Sequence, residues 1–215
     1  MKTLKSAFLL LLGFFVSGSV VLGGSNSLKG RSAIDLNLGF WHESKVGNEI
    51  SMTGVSSTAK TSGFLGGLSY AYWVKEDLSV GLSAGVLAGE ATSSVGINGT
   101  SQHTSAVVPV LLGVRYYVGE SSWDSPVKPF LSLGLGPFIG VETKNELFVQ
   151  ESRSEATFGT RLGGGIDFLL GQSFKLGANM GYDLMTDFST PIGARRNYNG
   201  PDFSLSVGFL FGGGK

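Results

Sequence analysis

Residues 156–187 read ATFGTRLGGGIDFLL, then GQS, then FKLGANMGYDLMTD. Phe158, Leu162, Ile166, Phe168, Leu170, Phe174, Leu176, Met180, Tyr182 and Leu184 all fall on even positions. Arg161, Gly163, Gly165, Asp167, Lys175, Gly177, Asn179, Gly181 and Asp183 fall on odd ones. Side chains alternate between faces along a strand, so the stretch predicts two strands, each with one apolar and one polar face. Each run is about 14 residues, ~45 Å at ~3.3 Å per residue, longer than usual for a soluble sheet. The polar face is glycine and charges of both signs, a poor surface for water. A membrane barrel needs the reverse of a soluble one: apolar outside against lipid, polar inside.

The hairpin fixes its own register. With both apolar sets even, facing residues sum to an even number, which requires an odd loop. Gly171-Gln172-Ser173 supplies a three-residue loop, a common hairpin connection. Arg161 is then expected opposite Asp183, with Asp167 diagonal to Lys175, both within reach of long side chains.

Composition points the same way. In 215 residues only 15% are charged and 34 are glycine, unlike an ordinary soluble or helical domain. The formal charge is zero, which argues against a nucleic-acid partner. Without cysteine there is no disulfide framework, thiolate metal site or acylated N-terminal cysteine. The start of the chain has Lys2 and Lys5, an apolar core over Ala7–Val16, a break at Ser17-Gly18-Ser19 and small residues around Gly23. That is the pattern of a secretory signal peptide over residues 1–23. Its removal leaves 14 basic against 16 acidic residues, a net charge of −2. The apolar run is short of the ~20 residues a spanning helix needs, so export and insertion by strands are expected.

Beyond a periplasmic leader (residues 24–31), the alternation recurs over Ser32–Glu43, Thr61–Val74, Leu78–Glu90, Ser105–Val118, Lys128–Glu142, the opening hairpin and Asp202–Phe211. In the fifth run the apolar parity changes to odd (Leu131, Leu133, Leu135, Ile139, Val141), and Pro137 predicts a bulge or a break in the ladder. This makes eight strands, residues 32–211, with a tail at 212–215. Three connections are short (75–77, 119–127, 171–173) and four are long polar loops (45–60, 91–104, 143–155, 188–201). Short periplasmic turns and longer external loops belong to outer-membrane barrels. Leu36-Asn37-Leu38-Gly39, Leu78-Ser79-Val80-Gly81, Leu131-Ser132-Leu133-Gly134 and Phe174-Lys175-Leu176-Gly177 form a loose repeat in the four outward-running strands. Tyr70, Tyr72, Tyr116, Phe174, Phe209 and Phe211 are expected at the periplasmic rim, and Phe40, Phe64, Phe158 and Tyr182 nearer the outer one, as two aromatic girdles.

On these residues the chain resembles the small eight-stranded outer-membrane β-barrels, the group of the OmpA transmembrane domain, OmpX and OmpW. Lys128-Pro129-Phe130-Leu131-Ser132-Leu133-Gly134-Leu135-Gly136 is similar to the Pro-aromatic-x-x-x-Gly-x-Gly strand of that group. Ser204–Phe211 resembles the closing strand that such proteins present to the barrel assembly machinery. In the group the chain usually ends on the aromatic residue, whereas here Gly212-Gly213-Gly214-Lys215 follows. The resemblance implies an all-β, antiparallel up-and-down transmembrane barrel in the bacterial outer membrane, among its lipids and lipopolysaccharide.

Asp35, Arg115, Arg161, Asp167, Lys175 and Asp183 are expected to point into the lumen. An eight-stranded barrel has an interior just wide enough for side chains to fill, and isolated buried charges are costly. A structural ion-pair network plugging the barrel is therefore expected; the other reading is a polar path for ions. His42 and His103 lie near the outer end, where a Ser–His pair would make a lipid hydrolase; loop histidines are the plainer reading. Neither has the neighbours of a metal site. The glycine strings lack the strand–glycine–helix context of a phosphate loop, so no catalytic residue, metal or cofactor is assigned. Arg195-Arg196 reads either as a solvated loop charge or as a contact for lipopolysaccharide phosphates. Three roles follow: a structural or adhesion-like barrel recognising an external ligand through its loops, a narrow channel for small or apolar solutes, and a lipid-modifying hydrolase.

Overall fold

The computed structural model describes residues 28–42, 63–96, 99–119, 125–146, 149–193 and 195–212. The expected signal peptide, residues 24–27 of the leader, the 45–60 loop and the last three residues of the tail lie outside them. Eight strands follow one another: β1 (Arg31–Trp41), β2 (Gly63–Trp73), β3 (Leu78–Gly96), β4 (Gly99–Tyr117), β5 (Val127–Glu146), β6 (Val149–Leu170), β7 (Phe174–Met185) and β8 (Gly200–Gly212). Each pairs antiparallel with the next, and β1 pairs with β8 from Arg31↔Gly212 to Trp41↔Asp202. The sheet is a closed barrel in sequence order, which leaves no edge at membrane depth where backbone groups would go unsatisfied.

The alternation decides which way round the barrel is built. Leu112 (69% exposed), Met180 (66%) and Phe40 (64%) project outward, while Asp35 and Asp183 are fully buried. A soluble barrel would show the reverse. At the lower rim Phe174 and Phe209 face each other across the β7–β8 pair, with ring centroids 5.4 Å apart. At the upper rim Phe40 stands between Phe64 and Phe203.

β1, β2, β7 and β8 are 11–13 residues long, close to what a tilted strand needs to cross a bilayer. β3 to β6 are 19–22 residues long. Two of the four expected long loops are thus corrected. Most of 91–104 and of 143–155 is strand, with β3–β4 paired as far as Gly96↔Gly99 and β5–β6 as far as Glu146↔Val149. Their Ser, Thr and charged residues resemble a loop in composition, but cross-strand pairing carried up from the barrel keeps them extended. The result is a four-stranded sheet standing some 8–10 residues, roughly 30 Å at ~3.3 Å each, above the outer ends of the other strands.

The β4–β5 ladder lapses between Pro109↔Phe138 and Leu112↔Leu135 and resumes in the same register. Pro137 therefore breaks the ladder without a bulge, as expected of a residue with no N–H to donate. The irregularity in β3, between Ala88 and Ala91, lies on its β4 side.

Candidate functional site

The interior is layered. All six charged residues expected in the lumen lie on its wall, and they form two groups at different heights. In the lower group, Lys175 Nζ lies 3.1 Å from both Asp35 Oδ2 and Asp167 Oδ2. Tyr117 Oη donates to Asp167 Oδ2 at 2.9 Å, and Arg115 Nη1 stands 3.8–3.9 Å from the same two carboxylates. These residues come from β1, β4, β6 and β7, so the cluster ties across the barrel. Gly208 on β8 makes room for it: a Cβ there would overlap Asp35 Oδ1 and come within 2.8 Å of the Lys175 stem.

In the upper group, Arg161 stands opposite Asp183 in the β6–β7 register. Its Nε is 3.9 Å from Asp183 Oδ1, and its Nη2 contacts Asp202 Oδ1 more closely. Asp202 and Lys128 were not among the expected lumen charges, yet both are buried. Parity pointed to them: Asp202 shares the even positions of Ser204 and Ser206 on β8, and Lys128 those of Phe130 and Ser132 on β5. With them these two layers of the described barrel bring together the carboxylates of Asp35, Asp167, Asp183 and Asp202 and the cations of Arg115, Lys128, Arg161 and Lys175. Glu142, also buried, stands higher on β5.

The charges lie between two apolar caps. The lower cap joins Leu28, Ala33, Ala71, Trp73, Tyr117, Phe130, Leu169 and Leu210. Lys175 Nζ sits 5.6 Å from the Trp73 ring centre, and the Arg115 guanidinium 4.8 Å from that of Phe130, so cap and charges touch through cation–π contacts. Leu28 is drawn in by its backbone N–H, which donates to Glu76 Oε2 at 2.8 Å. The upper cap joins Trp41, Leu65, Leu87, Val107, Leu111, Phe138 and Met185 with Phe188, Ile192 and Tyr198. The last three come from the β7–β8 connection, expected as an ordinary external loop and found seated in the barrel mouth. Arg195 stacks 5.5–5.6 Å from the ring centres of Trp41 and Tyr198, while Arg196 is exposed. The caps escaped sequence reasoning because Trp41, Trp73, Tyr117, Phe130 and Phe138 share the parity of the polar residues. Their places near the ends of that face were the available signal.

Between the caps is a cavity of about 140 Å³, whose walls include Ser83, Ser132, Ser204, Asn37, Asn179 and the two lumen arginines. Among its lining residues, Asn179 Oδ1 and Asp202 Oδ2 are buried without a hydrogen-bond partner in the protein, and Arg115 Nη1 has only its long ion-pair contacts. Buried polar groups are almost always hydrogen-bonded, and the space would take on the order of ten waters at ~10–15 Å³ each.

The histidines are not brought together. His42 is exposed at the upper end of β1, where its backbone N–H donates to Pro201 O at 2.8 Å. His103 pairs with Thr92 of β3 and Lys144 of β5, on the projecting sheet. Among the described residues no group of three or more His, Cys, Asp or Glu is placed to hold a metal ion.

The family described as outer membrane protein beta-barrel domain matches residues 6–211. Among solved structures, the chain resembles Ail, the attachment invasion locus protein of Yersinia pestis, in complex with the heparin analogue sucrose octasulfate. The two are 17% identical over 85% of this chain and 99% of that one, with a TM-score of 0.56. OprG from Pseudomonas aeruginosa is 15% identical over 90% of this chain and 100% of that one, with a TM-score of 0.52. Neisserial surface protein A is 14% identical over 86% and 98%, with a TM-score of 0.50. At these identities the likeness speaks for the fold. Comparison with curated proteins finds no match.

Proposed function

The chain belongs to the outer membrane protein beta-barrel domain family, and on that premise we propose that it is a sealed barrel of the bacterial outer membrane whose work is surface recognition. In this reading residues 1–23 direct export, residues 24–31 are the periplasmic leader, and residues 212–215 a tail behind the last strand. The lumen charges Asp35, Arg115, Arg161, Asp167, Lys175 and Asp183 are structural, holding the wall together across the barrel. The protein has no catalytic role. Its membrane partners are outer-membrane lipids and lipopolysaccharide, and the barrel assembly machinery during insertion.

The observation that carries the reading is the pair of apolar caps with ion pairs between them. A lumen filled in this way offers no route across the membrane, which leaves the outer face as the working surface. Among the described residues that face is dominated by the sheet of β3–β6, and strands held by cross-strand pairing present a surface at lower entropic cost than flexible loops. The heparin analogue bound by Ail makes a sulfated polysaccharide a sensible first probe. The test is retention of the refolded protein on immobilised heparin, alongside a variant in which residues 91–104 are replaced by a two-residue Asn-Gly turn. The reading expects retention of the parent protein and at least a tenfold loss in the variant, with the barrel still folded by heat-modifiable migration. Equal retention of both would remove the projecting sheet as the recognition surface.

The polar cavity is the observation that favours the second reading, a narrow channel. Its serines, asparagines and arginines suit hydrogen-bonding solutes, not apolar ones. A steady conductance of the unaltered protein would replace the sealed barrel with that channel.

A further inference from the structure

The two caps differ in how they are built. The lower one is made almost entirely by side chains on strands: Ala33 from β1, Ala71 and Trp73 from β2, Tyr117 from β4, Phe130 from β5, Leu169 from β6 and Leu210 from β8. These cannot leave without breaking barrel hydrogen bonds, and the lower charge cluster is bonded directly onto them. In the upper cap seven residues also stand on strands, but Phe188, Ile192 and Tyr198, which close it from above, come from outside them.

The connection that carries them is anchored at its two ends, where Thr186 N donates to Phe158 O at 3.0 Å and Met185 N to Asn199 Oδ1 at 2.6 Å, and between those ends it is bonded in part to itself. Phe188 N donates to Arg196 O at 2.6 Å, and Ile192 and Arg195 exchange backbone hydrogen bonds at 2.9 and 3.2 Å. Tyr198 Oη donates to Ile192 O at 2.8 Å, and Asn197 Nδ2 to Asp187 Oδ1 at 2.6 Å. These bonds would survive if the unit moved as one piece. It is seated on the barrel by apolar contact, by the Arg195 guanidinium over Trp41 and by Tyr198 N donating to Met185 Sδ at 3.4 Å. Ile192 packs so closely over Gly140 that a Cβ on that glycine would lie 2.6 Å from Ile192 Cγ1. A side chain of the projecting sheet also holds it, Glu155 Oε2 accepting from Thr190 N at 2.9 Å. Beneath it, past Leu65 and Leu111 of the same cap, lies the polar cavity.

We infer that the β7–β8 connection is a lid over a water-filled chamber that opens outward and ends blind toward the periplasm. The inference rests on the sealed-barrel reading and adds to it an inner surface, reachable from outside, for water and small hydrogen-bonding solutes. Lifting the lid exposes Arg161, Asp202, Asn179 and the serines of the wall. The lower cap stays shut, so the open state still passes no current.

The natural chain has no cysteine, so a single thiol reports on access. Ser83→Cys places one in the cavity wall. In the full-length protein, refolded into lipid vesicles, its labelling by a small neutral methanethiosulfonate is timed with reagent on the outer face. The measurement is repeated with Phe188→Ala plus Ile192→Ala, and separately with Glu155→Ala, which removes the tether and leaves the apolar contacts. Heat-modifiable migration checks that each variant is folded. The inference expects labelling to rise at least tenfold in the double variant and severalfold in Glu155→Ala, with no bilayer current from either. Rates unchanged in folded lid variants would overturn it. So would a current appearing only in the lid variants, since the lower end would then be open. A current from the protein with its lid intact would instead overturn the sealed-barrel reading beneath it.

Discussion

Lys175 serves two carboxylates with one ammonium, Asp35 and Asp167 at 3.1 Å each, and is itself fully buried. Removing one member of a buried ionic group leaves the others uncompensated, at a cost of about 3–5 kcal/mol. Lys175→Met should therefore destabilise the barrel by about that much, read from urea unfolding in lipid vesicles. Adding Asp35→Asn should recover part of the loss instead of doubling it, because neighbours that share a partner do not add. Arg161 plays the same part for Asp183 and Asp202, so Arg161→Met should cost a similar amount. Losses below ~1 kcal/mol in all three variants would mean that water, not the counter-charge, solvates these carboxylates. Gly208→Ala tests the same cluster by volume, since its methyl would displace Asp35 Oδ1; a drop in stability without any change of charge is expected. At this scale the sequence was legible through parity alone. Parity set the Arg161–Asp183 register and put Asp167 beside Lys175. It could not show that Arg161 reaches more closely to Asp202, because the β7–β8 pairing depends on a connection whose path the alternation does not encode.

At the level of elements, the lid is tethered through Glu155. Its carboxyl is held below the usual carboxylate range, chiefly by hydrogen bonds from Thr190 and then by Arg153 beside it. Glu142 of β5, opposite Arg153, is the acidic neighbour. A depressed value in the closed state means that the tether contributes fully above the ordinary glutamate value of about 4.3. The contribution fades as pH falls through the lowered value. The ratio of thiol labelling in Glu155→Ala to that in the parent, both carrying Ser83→Cys, should stay above one from neutral pH to about pH 5. Below about pH 4 it should fall toward one; a ratio constant with pH would show that the ionised tether does not hold the lid. Element lengths were the least legible feature. The alternation was read as ending at Glu90 and Glu142, yet β3 runs to Gly96 and β5 to Glu146. Above the membrane neither face is apolar, so the period-two signal vanishes while the hydrogen bonds continue. The seating of Phe188, Ile192 and Tyr198 was hidden for a different reason: three apolar residues in a loop carry no periodicity that says where they go.

For the whole molecule, the inside-out distribution was plain in the chain, because every strand has to meet lipid on one side and its own lumen on the other. Closure follows from that demand, since open edges are not tolerated in hydrocarbon. What the lumen contains was only half legible. Its charges stood out against glycine and serine, whereas the aromatic rings that cap them were read as members of the polar face. The caps are what turn a polar lumen into a sealed one, and they carry the account. Planar-bilayer recording of the refolded, unaltered protein tests this directly. The account predicts a flat baseline at moderate voltage, without unit steps; a steady, voltage-independent open-pore conductance would contradict it.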